Sequence, residues 1–319
     1  MRDAAQPVMV IAAPTASGKT ALVRALFGKG SLFRFKDRAE IISADSQAVY
    51  KGFDIGTAKP TPEEQKEIPY HLIDVASPFR QFGLGDFMSM ADEAAAEIWS
   101  KKKIPVLVGG TGFYIRSFLM GAPVAPESSP KIRSRLFERL KKEGSEKLYE
   151  ELTSLDPDYA KKIHVNDAYR ICRGLEVFYT SGRPLSSYKI PQSLRKGFSF
   201  LTIILERDRE ELYRRIDDRV EELFKNGLEE EVRHLREEGC NAETPAMKAI
   251  GYREFFDTEL KGDIGLIKAA IKHNSHRYAK RQITYMQNIP EALTLHADSM
   301  EKIRGLAEDF FSNWLDGES

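Results

Sequence analysis

The sequence is short of cysteine, of net charge and of long apolar runs. Its only two cysteines, Cys172 and Cys240, lie far apart in 319 residues, and neither has a partner at the spacing of metal ligands. Lys plus Arg and Asp plus Glu both number 48, so no overall field draws the chain to nucleic acid or membrane, and an anionic partner would need a local basic cluster. No apolar run approaches the roughly 18 residues of a membrane span, and none resembles a signal segment. We therefore expect a reduced, cytoplasmic protein outside the membrane.

Short runs rich in β-branched residues alternate with helical patterns along the chain. Four of them are VMVIAA (8–13), EIISA (40–44), IPVLVG (104–109) and FLTIILE (200–206). HLIDV (71–75) is a candidate edge strand, and everything after residue 206 has helical spacing. Such alternation is typical of a parallel sheet covered by helices, so the predicted fold class is α/β. In these sheets the loops that leave the carboxyl ends of the strands share one edge, where ligands bind.

The strand signal disappears between residues 118 and 197. Charged helical patterns replace it, as in SPKIRSRLFERLKKEG and NDAYRICRGLEVFYTSG. Because the strand pattern resumes afterwards, this segment is predicted to be a helical insertion into the core rather than a second free domain. The predicted organisation is a first core part at 1–117, a helical insertion domain at 118–197 and a second core part with C-terminal helices at 198–319.

The first strand runs into the octapeptide APTASGKT (13–20), and a helical pattern follows. Gly18, Lys19 and Thr20 match the end of the phosphate-loop pattern G-x-x-x-x-G-K-[ST]. The backbone N–H groups of such a loop hold phosphate oxygens, the lysine adds a positive charge, and the threonine hydroxyl can bind Mg²⁺. Ala13 replaces the first glycine, and we expect it to turn within ordinary φ/ψ space. The motif predicts a P-loop NTPase-like core but leaves open whether it holds the tail of ATP or another diphosphate.

Asp45 follows the second predicted strand, at the same edge of the sheet as the phosphate loop. A carboxylate there can accept a proton from an attacking group or orient a water on Mg²⁺, and a small kinase would also need an acid at this place. Asp45 could equally cap the start of a helix. The residues alone leave these roles open.

A basic segment without acids runs from Ile264 to Pro290. It holds five Lys or Arg, two His and two Tyr, which suits contact with phosphates, although an ordinary exposed basic face has the same composition. His273 and His276 lie three residues apart, but no carboxylate completes a metal-binding set, so no metal is predicted there.

Several longer blocks resemble the tRNA dimethylallyltransferases, also called tRNA isopentenyltransferases. The blocks are APTASGKT, ISADSQAVYKGFDIGTAKP, LVGGTGFYIRSFLMG, IHVNDAYRICRGLEVFYTSGRPLS, AIGYREF and RYAKRQITYMQ, and together they span about residues 8–288. The chain departs from the family's pattern at Ala13, at Phe113 where leucine is common, and at Tyr285 where tryptophan is frequent.

The resemblance implies transfer of a dimethylallyl group from dimethylallyl diphosphate to N6 of adenosine 37 beside the tRNA anticodon. It implies that Asp45 is the general base, that Thr111 lies near the target base and that Arg219 reaches the leaving diphosphate. Mg²⁺, held in part by Thr20, would help the diphosphate to leave. The implied diphosphate-binding residues are Ala13, Pro14, Thr15, Ala16, Ser17, Gly18, Lys19, Thr20 and Arg215. Arg219 and Arg215 also fit the solvated face of an amphipathic helix.

The same resemblance implies a tRNA surface that takes the adenine out of its stack. The implied contacts are Ser46, Gln47, Ala48, Arg133, Tyr169, Arg170, Arg173, Gly251, Tyr252, Arg253, Lys280, Arg281, Gln282 and Tyr285. The implied partners are the anticodon stem-loop of tRNA and dimethylallyl diphosphate, and we expect a monomer.

Three other functions fit part of the sequence. A P-loop kinase would use the same loop and acid, and an adenylate prenyltransferase would run the same chemistry on a free nucleotide. A nucleotide-dependent RNA-binding module would need no group transfer, and Asp45→Asn would leave its function intact. The HVNDAYR and AIGYRE segments and the basic helix favour an RNA acceptor over a free nucleotide.

Overall fold

The computed structural model describes residues 5–123, 125–126, 129–189 and 191–315. The chain divides into two compact units, one made of Met1–Leu119 with Leu194–Ser319 and the other of Met120–Ser193. Of the ranges predicted from sequence, positions 1–4, 124, 127–128, 190 and 316–319 lie outside the described residues.

The first unit is built on a parallel sheet. Its strands are β1 (Gln6–Ala12), β2 (Ala39–Ala44), β3 (Tyr70–His71), β4 (Ile104–Gly109), β5 (Phe198–Glu206) and β6 (Leu293–His296). They lie in the order β3-β2-β4-β1-β5-β6, and every pairing is parallel. The strand β2 and all but the first residue of β1 are buried, because helices cover both faces of the sheet. The fold is the predicted α/β class with a P-loop-like core.

Two predictions about the edges of the sheet were wrong in detail. The run HLIDV forms a strand only at its first residue, His71, because Leu72 and Asp74 have φ angles of 63° and 55°, which end an extended segment. The region after residue 206 is not all helical, since β6 pairs with β5 from Ile203 and Leu293 onward. Four residues of an edge strand, of which only Leu295 is buried, are too few to show a pattern.

The first unit also contains α-helices. They are α1 (Lys19–Phe27), α2 (Pro62–Glu67), α3 (Leu84–Ser100), α4 (Gly112–Met120), α9 (Arg209–Lys225), α10 (Leu228–Glu237), α11 (Ile264–Met286) and α12 (Met300–Leu315). The predicted helix that starts at RDREELYRR is α9, and Gly227 follows it with φ 95°, the left-handed conformation that ends helices. No helix in the described part of the chain is both long enough and apolar enough to cross a membrane.

The second unit is helical, as predicted. Its helices are α5 (Pro130–Glu143), α6 (Ser145–Leu155), α7 (Pro157–Ala160) and α8 (Ala168–Ser181). Leu136, Leu148, Leu152, Ile171 and Leu175 are buried together and form its own apolar core. The described part of this unit contains no strand, so its stability comes from helix packing.

Candidate active site

A cavity of about 380 Å³ lies in the first unit, beside the carboxyl ends of β1, β2 and β4. The loops after these strands line it, together with one face of α9, one face of α11 and the segment 248–253. The sheet edge that the sequence predicted to bind ligands therefore borders a cavity.

The phosphate loop runs from the end of β1 into α1. Gly18 and Ala16 have φ angles of 105° and 61°, whereas Ala13 is not among the described residues with positive φ, so alanine is tolerated in place of glycine there. The Lys19 ammonium donates hydrogen bonds to the carbonyl oxygens of Ala13 (2.9 Å) and Pro14 (2.7 Å). Because α1 begins at Lys19, its free N–H groups face the loop, as an anion site requires.

Two cations lie close to the loop. Desolvation lowers the pKa of Lys19 to about 8, and the positive charge of Arg219 adds to this while Asp45 opposes it. Burial also lowers the pKa of Arg219, again against the charge of Asp45, and its guanidinium donates to the Thr57 carbonyl (3.1 Å). Burial outweighs the charge of Asp45 at both cations, and an added anion would stabilise their charged forms.

Asp45 is the only carboxylate among the described residues that line the cavity. Its Oδ1 accepts hydrogen bonds from the backbone N–H groups of Gln47 (2.8 Å) and Ala48 (3.3 Å). The segment after Asp45 is a turn, so the carboxylate caps a turn and not a helix. Both hydrogen bonds go to the same carboxylate oxygen and fix the orientation of the side chain. Asp45 interacts electrostatically with Lys19 and Arg219.

Thr111 connects the loops after β2 and β4. Its hydroxyl accepts a hydrogen bond from the Ser46 N–H (3.0 Å), and its own N–H donates to the Ala44 carbonyl (3.1 Å). Thr111 therefore lies beside the turn that carries Asp45.

The GGTG motif contains glycines because neighbouring elements approach it closely. A Cβ added at Gly109 would lie 2.1 Å from the Ala44 carbonyl oxygen, and one at Gly112 would lie 2.5 Å from the Tyr285 ring. A Cβ at Gly110 would lie 2.4 Å from the Gln282 amide nitrogen. The close approach at Gly109 is to β2, whereas those at Gly110 and Gly112 are to α11.

Gly109→Ala is expected to lower the free energy of unfolding by about 3 kcal/mol or more, because the clash is with backbone that cannot move aside. Gly305→Ala is the control, since Gly305 lies within α12 and nothing lies within 4 Å of its added Cβ. Alanine there should stabilise the protein by about 0.5–1 kcal/mol. Chemical denaturation of both variants measures the difference, and equal unfolding midpoints would contradict the close-approach explanation.

Only some of the residues predicted to contact tRNA or diphosphate line the cavity. Those that line the cavity are Thr15, Lys19, Thr20, Asp45, Ser46, Gln47, Ala48, Arg219, Gly251, Arg253, Arg281 and Gln282. Lys280 and Tyr285 line a separate shallow pocket with Arg281. Tyr252 is buried, and its hydroxyl donates to Glu231 (2.6 Å). Arg215 does not line the cavity in the described structure, and its Nε donates to Glu211 (2.8 Å) instead.

Four predicted tRNA contacts belong to the insertion unit. The Arg133 guanidinium lies over the Tyr169 ring, 5.2 Å from its centroid. Arg170 forms an ion pair with Asp167 (3.1 Å), and Arg173 forms one with the buried Glu176 (3.0 Å). Arg173 thus stabilises its own unit, whereas Tyr169 is largely exposed although Arg133 lies over its ring.

Sequence reasoning missed several residues around the cavity. Arg207 donates to the Ser17 carbonyl (3.2 Å) and pairs with Glu211 and Asp298, which holds the phosphate loop from outside. Glu231 accepts from the backbone N–H groups of Asp54 (2.9 Å), Ile55 (2.7 Å) and Gly56 (3.1 Å). Lys248 and Tyr278 line the cavity itself. Only Arg207 could have been found from the sequence, because it directly follows a predicted strand and therefore lies at the ligand-binding edge of the sheet.

The cavity fits a magnesium ion that arrives with a diphosphate. Mg²⁺ prefers oxygen ligands and usually keeps several waters, with one or two protein ligands and substrate phosphates completing its shell. The Thr20 hydroxyl and the Asp45 carboxylate are such oxygens, and both residues line the cavity. A lone carboxylate is too little for a permanent protein-only metal site, so the donor set suits a metal shared with substrate.

Fold and cavity together define a phosphate-loop α/β protein with several cations and one carboxylate at its ligand site. The chain belongs to the IPP transferase family, whose family model matches residues 48–289. The tRNA dimethylallyltransferase 1 of Trichlorobacter lovleyi is 40% identical over 309 residues, which cover 96% of this chain and 99% of that protein. The protein of the same name from Pelobacter propionicus is 42% identical over 292 residues, which cover 90% of this chain and 92% of that protein.

Solved structures agree with this assignment. The tRNA isopentenylpyrophosphate transferase of Staphylococcus epidermidis has a TM-score of 0.66 and 33% identity, and the match covers 97% of this chain and 99% of that one. A eukaryotic dimethylallyltransferase described as acting on tRNA has a TM-score of 0.76 and 26% identity, over 97% of this chain and 80% of that one.

Proposed function

We propose that this protein transfers the dimethylallyl group of dimethylallyl diphosphate to N6 of adenosine 37 in a tRNA anticodon loop. The relatives that match nearly the whole chain are tRNA dimethylallyltransferases, which supports the reaction class. The observation that carries the proposal is one cavity in which a single carboxylate, Asp45, faces Lys19, Arg219 and the phosphate loop.

The wall of the cavity suits an allylic diphosphate better than a nucleotide tail alone. Residues of α9 that line the cavity follow helical spacing, with Arg219 among Ile216, Val220 and Leu223. One helix face thus offers a charge for the diphosphate and apolar side chains for a short hydrocarbon. A kinase would not need the apolar part at this place.

The proposed step exchanges one bond for another at C1 of the dimethylallyl group. The bond from C1 to the diphosphate oxygen breaks, the bond from C1 to N6 of adenine forms, and the N6 proton passes to Asp45. Diphosphate leaves as an anion, and Lys19, Arg219 and the loop N–H groups stabilise the charge that develops on it. Magnesium held by the diphosphate and the Thr20 hydroxyl would supply further positive charge to the leaving oxygens.

The acceptor is proposed to enter the same cavity as an unstacked base. Ser46, Gln47 and Ala48 line the cavity next to Asp45 and would border the adenine. Lys280, Arg281 and Tyr285 on α11 would contact the RNA around it, and Tyr169 of the insertion unit offers an exposed ring for stacking. A free-nucleotide enzyme would not need these outer contacts.

The decisive experiment mixes the purified protein with Mg²⁺, radiolabelled dimethylallyl diphosphate and unmodified tRNA that has adenosine at position 37. Parallel reactions contain AMP as acceptor or labelled ATP as donor. Label in tRNA that is lost when the adenosine is changed to guanosine supports the proposal. Label in AMP would assign the protein to free-nucleotide prenylation, and phosphate transfer from ATP without prenylation would make it a kinase.

Removal of Mg²⁺ is expected to abolish transfer while tRNA still binds. The diphosphate carries the metal, so chelation by EDTA should lower turnover at least about 100-fold, and added Mg²⁺ should restore it. The tRNA affinity, measured by filter binding in a Ca²⁺-containing buffer, should stay within about twofold because protein cations make most of the phosphate contacts. Full activity in EDTA would contradict the metal's proposed role.

A further inference from the structure

The inner face of α11 carries Tyr278, for which the resemblance implies no role, and Gln282, for which it implies a tRNA contact. Tyr278 and Gln282 lie one helical turn apart and both line the cavity. Lys280 and Arg281, between them in sequence, also line pockets but are basic residues suited to RNA. We name the pair Tyr278 and Gln282 the α11 brace.

Gln282 uses both ends of its amide within the protein. Its Oε1 accepts a hydrogen bond from the Thr15 N–H of the phosphate loop (3.0 Å), and its Nε2 donates to the Gly110 carbonyl (2.8 Å). The side chain is only 5% exposed. The resemblance implies a tRNA contact, but in the structure Gln282 joins the loop after β1 to the loop after β4.

Tyr278 extends the same connection toward the proposed base. Its phenol lies near the side chains of Thr111 and Gln282 and near the charge of Asp45. The Thr111 hydroxyl in turn accepts a hydrogen bond from the Ser46 N–H (3.0 Å) beside Asp45. Burial, and after it the negative charge of Asp45, raises the pKa of Tyr278 to about 12, so the phenol stays protonated at neutral pH. The brace therefore connects the phosphate loop, the β4 loop and the Asp45 turn.

We propose that the α11 brace is a positioning device that fixes the phosphate loop relative to Asp45, with Gln282 acting on diphosphate binding and Tyr278 on the geometry of proton transfer. The kinetic part of this inference rests on the proposed function, whereas the binding part does not. Such a device matters because misplacement of reacting groups by about 1 Å can cost roughly 100-fold in rate.

Gln282→Met tests the diphosphate side. Loss of the hydrogen bond to the Thr15 N–H should weaken binding of Mg²⁺ with inorganic diphosphate about tenfold in calorimetry, while tRNA affinity changes less than about twofold. Gln282→Glu is the second variant, since it keeps an acceptor for Thr15 but turns a carboxylate oxygen toward the Gly110 carbonyl. It should also weaken diphosphate binding. Weaker tRNA binding with unchanged diphosphate binding in either folded variant would overturn the inference.

Tyr278→Phe tests the base side. It removes one hydroxyl, and turnover should fall about tenfold or more while the KM values for tRNA and donor stay within about threefold. Tyr149→Phe is the matched control, because the Tyr149 hydroxyl donates to the Ala160 carbonyl (3.1 Å) in the insertion unit, and it should leave turnover unchanged. Raised KM values with unchanged turnover for Tyr278→Phe would overturn the role assigned to Tyr278.

The double variant tests whether the two residues act together. If they do, Tyr278→Phe combined with Gln282→Met should lose less kcat/KM for the diphosphate donor than the product of the single losses, whereas fully multiplicative losses would contradict one shared device. Diphosphate calorimetry needs no transfer reaction, so it separates the two proposals. If the wild-type protein fails to prenylate tRNA, the proposed function is overturned and the brace proposal is not. If the Gln282 variants bind diphosphate normally, the brace proposal is overturned and the proposed function is not.

Discussion

Asp45→Asn is expected to lower the turnover of prenyl transfer by about 10²–10⁴-fold, the range that loss of a general base produces. Asparagine keeps an oxygen that can accept from the Gln47 N–H, so the turn cap survives while the basic group is lost. The KM for tRNA should therefore stay within about threefold, because the turn still borders the acceptor. Single-turnover kinetics with labelled donor measure the chemical step directly.

Asp45→Ala is the control for this prediction. It removes the base and also the acceptor of the two backbone hydrogen bonds, so it should lose turnover and in addition unfold at a lower temperature than the asparagine variant. Asparagine with wild-type turnover would contradict the base assignment and favour an RNA-binding module that transfers nothing.

Lys19→Met is expected to lower kcat/KM for the diphosphate donor by about 10²–10³-fold, since one pre-organised donor to a developing anion contributes on that scale. The effect should have a pH signature. With a pKa of about 8, Lys19 of the free enzyme loses its proton as pH rises through 8, and kcat/KM for the donor should fall with it. Methionine should remove that limb of the profile. A wild-type profile that stays flat from pH 7 to about 9.5 would contradict the assignment.

Lys19 is also expected to lower the stability of the ligand-free protein. Its pKa lies below the ordinary value of 10.5, so the unfolded chain binds more protons than the folded one between pH 8 and 10.5. Stability of the ligand-free protein should therefore rise with pH across that window, and Lys19→Met should unfold at a higher temperature than wild type at pH 7. Calorimetric scans of both proteins with and without diphosphate measure it.

The fold could be predicted where local pattern and burial agree. β1, β2, β4 and β5 are apolar runs because helices cover both sides of the sheet, and such runs are visible without any knowledge of neighbours. The edge strand β6 could not be predicted, because four mostly exposed residues become a strand only through their pairing with β5. The phosphate loop and Asp45 were predictable since each follows directly from a strand end.

The finer roles at the site depend on contacts between distant parts of the chain. Arg215 and Arg219 lie one turn apart on α9, and only the structure shows that one meets Glu211 while the other reaches Thr57. Gln282 meets Thr15 across 267 residues of sequence. No spacing rule carries such information, so motif comparison alone placed Gln282 on the tRNA.

Glu231 gives the loop of Asp54, Ile55 and Gly56 a built-in counter-anion. Three converging N–H groups attract any phosphate that comes near, and Gly56 lines the same cavity as the phosphate loop. Of the three residues only Gly56 lines the cavity, and its N–H is already bonded to the Glu231 carboxylate (3.1 Å). We therefore expect an anionic ligand to bind at the N–H groups of the phosphate loop rather than at these three, because Glu231 already accepts their hydrogen bonds.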